Sequence, residues 1–140
     1  MTCRPRLLLA EDHLQTADLV CALLSAEFDV IARVRDGRAL ESAAARLSPD
    51  VIVSDISMPG LDGITAASLI LFRNPAARIV FMTVHGDPLM VERALATGAL
   101  GYVVKVVAGD DLLPAVRAAL RGERFVSGGL HLFPRLERIS

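Results

Sequence analysis

The chain has no tryptophan, one tyrosine and only two cysteines among its 140 residues. Cys3 and Cys21 stand far apart and in no metal-ligand spacing, so reduced thiols are expected rather than a disulfide framework. Strong charge of either sign is also missing. A formal net charge of -1 argues against electrostatic binding of nucleic acid by this segment. Charged residues interrupt every long apolar run, which excludes a membrane-spanning helix, and no membrane partner is expected. The opening apolar run, Leu7 to Ala10, meets Glu11 too soon for a signal peptide, so the expected location is cytoplasmic. Repeats and low-complexity segments are absent too. What remains is 53% hydrophobic and 22% charged, enough apolar material for a single buried core.

The organising stretch is Pro49 to Gly63. Val51 to Val53 is a short apolar run between turn residues, the pattern of a strand buried on both faces. Asp55 lies where the run stops, and Met58-Pro59-Gly60-Leu61-Asp62-Gly63 then turns the chain. Similar runs lie at Leu7–Ala10, Val30–Val34, Ile79–Met82 and Gly101–Val104. Between them, apolar residues recur at helical spacing from Leu14 to about Ala26, Leu40 to Leu47 and Ile64 to Phe72. Asp87 and Pro88 open a fourth helix with Gly98 just past its end, and Asp110 or Asp111 opens a fifth. Pro114 is placed in the first turn of that helix, where its missing N–H costs nothing. Strand and helix therefore alternate five times. This predicts an α/β fold with a doubly wound parallel sheet and helices on both faces.

Such a sheet brings the carboxyl ends of its strands to one edge, where ligands bind. Glu11 and Asp12, then Asp55, then Thr83, then Lys105 fall at those ends. Three crowded carboxylates need a cation, and hard oxygen ligands suit Mg2+ or Mn2+ rather than zinc. A hydroxyl, an ammonium and a divalent cation around one carboxylate form a site for a phosphoryl group. Asp55 would then be the nucleophile. Taken singly, each piece has a plainer reading: Glu-Asp as a helix cap, a strand-terminal Thr or Lys as a structural or solvated residue.

With these residues in place, Leu7 to about Ser127 resembles the receiver domain of two-component response regulators. The matching residues are Glu11-Asp12, Asp55 with Met58 to Gly63, Thr83, and Lys105 preceded by Gly101-Tyr102-Val103-Val104. The resemblance implies a flavodoxin-like five-stranded sheet of order 2-1-3-4-5. It also implies that Asp55 accepts a phosphoryl group from a sensor histidine kinase with Mg2+ required. Asp12 and Asp55 would hold the metal, Glu11 acting through water and Ser57 through its backbone carbonyl. Thr83 and Tyr102 would be the switch pair that answers the new charge, and a homodimer is expected on activation. His13, Gly101-Tyr102, Gly122-Glu123 and Phe125-Val126-Ser127 are similar to the NarL/FixJ subgroup, whose members usually carry a C-terminal DNA-binding helix-turn-helix. The expected organisation is a receiver domain over 1–127, with 128–140 a tail or the start of a linker to an effector domain.

Two departures stand out. Proline often follows the family's lysine, whereas here Val106-Val107-Ala108-Gly109 does, which predicts a differently shaped or more mobile loop. Ser57 and His85 occupy positions that tune phosphorylation lifetime in the family, although His85 reads more simply as an exposed, inert residue. The rival functions are a stand-alone receiver acting through protein contacts, a degenerate receiver used as a scaffold, and an aspartyl-phosphate hydrolase. The last would place a second catalytic Asp where Ser57 stands.

Overall fold

A computed structural model describes residues 4–84 and 87–127. Strands β1 (Arg6–Ala10), β2 (Asp29–Val34), β3 (Val51–Asp55), β4 (Ile79–Thr83) and β5 (Gly101–Val104) alternate with five helices. These are α1 (Leu14–Leu24), α2 (Gly37–Leu47), α3 (Gly63–Arg73), α4 (Pro88–Ala96) and α5 (Ala108–Leu120). A short strand β6 (Phe125–Val126) follows, which the sequence reading did not foresee. All the pairings are parallel, in the order β2-β1-β3-β4-β5-β6. The five-stranded order expected from the sequence is therefore present, extended by one strand at the β5 edge.

Alternation along the strands divides the core into two layers. Leu8, Ile52, Phe81 and Tyr102 pack with α2, α3 and α4. Leu7, Leu9, Val53, Met82 and Val103 face the other way and pack with α1 and α5. Every residue of β3 and β4 is buried, which is why those runs are continuously apolar rather than alternating. Helices α2, α3 and α4 start where short acidic side chains satisfy free N–H groups. Asp36 accepts from Ala39 N at 2.8 Å, Asp62 from Thr65 N at 2.8 Å and Asp87 from Leu89 N at 3.1 Å.

The fifth helix departs from expectation. A 3-10 turn, Lys105–Val107, leads from β5 straight into α5, which begins at Ala108. Asp110 and Asp111 are thus in the first turn rather than at the cap, where their charge favours the positive end of the helix dipole. Pro114 consequently lies inside the helix, not in its first turn. It leaves the Asp110 carbonyl without the usual N–H from four residues on. α1 ends at Leu24, two residues before the end expected from its apolar spacing.

Candidate functional site

The register of the sheet builds the site in steps. Ala10 pairs with Ser54, so Glu11 comes level with Asp55. Asp55 pairs with Met82, putting Thr83 one residue beyond, and Thr83 pairs with Val104, putting Lys105 beyond that. Residues spread over nearly a hundred positions thereby share one edge. The turn after Asp55 is held tight by Gly63: a Cβ there would collide with the Asp55 backbone carbonyl. Only glycine lets α3 begin so close to the end of β3.

Glu11, Asp55 and Thr83 are buried, while Asp12 and Lys105 are half-buried. Lys105 Nζ donates to Glu11 Oε1 at 2.7 Å and to Asp55 Oδ2 at 3.1 Å. The backbone N–H of Ser57 approaches Asp55 Oδ1 at 3.4 Å. One carboxylate oxygen from each of Glu11, Asp12 and Asp55 lies within 4.8 Å of the others. Beside them an open cleft of ≈ 510 Å³, lined by Asp12, Ser57, Met58, Pro59 and Arg93 among others, gives access from solvent.

The electrostatics follow from crowding. Burial pushes the Glu11 carboxyl up to about 7, and the neighbouring Asp55 carboxylate adds to the effect against the pull of Lys105. Burial also opposes the charge on Lys105, but Glu11 and Asp55 outweigh it and hold the ammonium above its ordinary value. Three carboxylates face one ammonium, leaving two negative charges unmatched if all ionise. Glu11 Oε2, meanwhile, is buried without a hydrogen-bond partner among the described residues. Excess charge and an orphaned oxygen beside a cluster of hard donors fit a divalent cation such as Mg2+.

Thr83 and Tyr102 meet on the side of the α4 core. Tyr102 is fully buried, and burial pushes its phenol up to about 12, with Asp87 adding to the rise and a hydrogen bond with Thr83 opposing it. All the sequence-predicted site residues among those described are thus near the same edge, with Ser57 exposed at the mouth. His85 and the stretch 128–140 lie outside the described residues. Two residues had been given no role by the sequence. His13 caps α1, its Nδ1 accepting from Thr16 N at 3.4 Å, and Arg93 brings a cation to the cleft. A polar residue directly before a helix was the available signal for the first. The second had none, because it depends on which way α4 faces.

Residues 7–117 match the family described as the response regulator receiver domain. The chain belongs to that family. It is 30% identical over 123 residues to the transcriptional regulatory protein DegU of Brevibacillus brevis, covering 86% of this chain and 52% of the relative. It is 36% identical over 116 residues to the transcriptional regulatory protein PdtaR of Mycobacterium tuberculosis, covering 82% and 56%. Among solved structures, a LuxR-family two-component response regulator from Aurantimonas superposes with a TM-score of 0.90. Identity there is 29%, over 98% of this chain and 99% of that one. The receiver spans about half the length of the curated relatives it matches. The family is one of signalling receivers related to transcriptional regulators, not an enzyme family. Among the described residues no helix is long and apolar enough to cross a membrane.

Proposed function

We propose that this receiver is a phosphoacceptor switch in which Asp55 takes a phosphoryl group from the phosphohistidine of a sensor kinase. The observation that carries the reading is the buried Asp55 carboxylate with Lys105 on one oxygen and the Glu11–Asp12 acidic pair alongside. An Asp55 oxygen attacks phosphorus, the P–N bond breaks, and the electron pair leaves with the imidazole. Glu11, Asp12, Asp55 and the Ser57 carbonyl would hold Mg2+, Glu11 through water. When bound, the ion supplies charge neutralisation to the phosphoryl oxygens. Lys105 gives the transferring group a positive charge, and the Thr83 hydroxyl gives it a hydrogen-bond donor.

The added charge, ≈ −1.5 to −2 if it behaves like other phosphorylated side chains, would draw Thr83 toward Asp55. Because Thr83 and Tyr102 are hydrogen-bonded, that movement would reach the β5–α4 surface. The receiver unit would span residues 1–127 and work in the cytoplasm, dimerising on activation. The names of its relatives favour the regulatory half of a transcriptional regulator as the larger context. The test is incubation with phosphoramidate, a small P–N donor, and Mg2+, read by intact mass. Wild type should gain one phosphoryl group, while Asp55→Asn should gain none. Equal labelling of both would overturn the reading.

A further inference from the structure

Ser127 lies just beyond the short sixth strand and is fully buried although polar. Its backbone N–H donates to the Tyr102 carbonyl at 2.9 Å, completing the ladder between β5 and β6. Its side chain then takes the next donor of β5: Oγ accepts the N–H of Val104 at 3.0 Å. Val104 is the last residue of β5 and directly precedes Lys105. The 3-10 turn that starts at Lys105 has no side-chain cap. Even a half-buried N–H is seldom left without a partner, so the Ser127 hydroxyl fixes the point at which β5 gives way to that turn.

The position of that point matters for Lys105. Its side chain must cross the end of β4 to reach Asp55 on β3 and Glu11 on β1, at 3.1 and 2.7 Å. Neighbouring strands are about 4.8 Å apart, so the side chain spans more than one strand and tolerates little movement of its base. We infer that Ser127 is a positioning residue for Lys105, making the sixth strand part of the site although it pairs with the edge of β5 away from the carboxylates. The inference rests on the phosphoacceptor reading only for its consequence for rate. The geometric part stands apart from it.

Lys105 is the only lysine in the sequence, so 15N-lysine labelling of the whole chain gives one side-chain ammonium signal. Bonded to two carboxylates, that ammonium should resonate away from the free-lysine position. Ser127→Ala should move it to the free-lysine position and slow phosphoramidate labelling at saturating Mg2+ by roughly tenfold or more. Ser127→Cys, of similar size but a weak acceptor, should give an intermediate shift even if the alanine variant folds poorly. Val126→Ala shortens a neighbouring β6 side chain and leaves the hydroxyl, so it should change neither readout at equal loss of stability. An unmoved signal in both Ser127 variants, or an equal shift in Val126→Ala, overturns the inference. If wild type takes no phosphoryl group, the phosphoacceptor reading fails and the ammonium signal alone decides the role of Ser127.

Discussion

Among the described residues two ion pairs join early and late parts of the chain, Lys105 with Glu11 across 94 residues and Arg117 with Glu27 across 90. In outline they are alike, each joining the first third of the chain to the last. Their surroundings set them apart. Arg117 Nε meets Glu27 Oε1 at 2.8 Å on the outer face of α5, where water competes for both partners. There the guanidinium holds the carboxyl of Glu27 below its ordinary range. Lys105 instead joins two buried carboxylates that repel each other, and one of them is pushed far up. A surface pair is a small contact that any cation can make. A buried cluster with surplus negative charge costs stability and is retained where that charge has a use.

The sharpest way to break the comparison is to remove each cation. Lys105→Ala should slow phosphoryl labelling of the protein roughly a hundredfold or more, the scale of losing one charge-stabilising donor. Arg117→Ala should label at the wild-type rate. Comparable losses in the two variants, measured side by side, would show that the cations serve only to hold the fold.

A second difference is in pH. A carboxyl with a folded value of about 7 and an unfolded value of 4.5 keeps its proton in the folded state where the unfolded chain has lost it. Its favourable contribution is complete below 4.5 and disappears as pH rises through 7, on the order of 1–3 kcal/mol. Metal-free protein should therefore lose stability over that window, and Glu11→Gln should flatten the loss. Mg2+ competes with the proton, so the rise in Tm on adding Mg2+ should be larger at pH 8 than at pH 6. A rise that is equal at the two pH values would separate the metal from Glu11.

Tyr102 extends the same logic to an uncharged group. As the single tyrosine in a chain without tryptophan, it gives a clean absorbance titration. Its phenol should ionise near 12 in the folded protein rather than at 10. Since the folded state keeps the proton longer, stability should fall as pH climbs between those values. Ionisation at 10 with the fold intact would place the ring outside the core. The smallest effect belongs to the surface pair. Glu27→Gln should leave the denaturation midpoint nearly unchanged near neutral pH, and salt should erase what difference there is. Because its folded value is lowered, any contribution from Glu27 is present above its unfolded value and fades as pH falls through the folded one.

Much of the fold could be read from the sequence because its buried strands are nearly uninterrupted apolar runs. Val51 to Val53 and Ile79 to Met82 have no alternative reading once a carboxylate or a hydroxyl ends them. The site was legible for the same reason: in a parallel sheet, the residue after each run is the one at the edge. Pro114 was misplaced because an acidic pair reads equally well as a cap or as a first turn, and the 3-10 turn that decides between them has no sequence pattern of its own. β6 was missed because two residues show no period, and its strand character comes from the edge of β5. The pairing of Glu11 with Lys105, rather than with solvent, depends on side-chain reach across three strands, which no local pattern encodes.

The most direct test is to locate the modification itself. After incubation with acetyl phosphate and Mg2+, reduction of the acyl phosphate and peptide mass spectrometry should place it on Asp55 and on no other carboxylate. A modification at Glu11, Asp12 or any other residue, or an unmodified Asp55 in a folded, Mg2+-bound protein, would contradict the account.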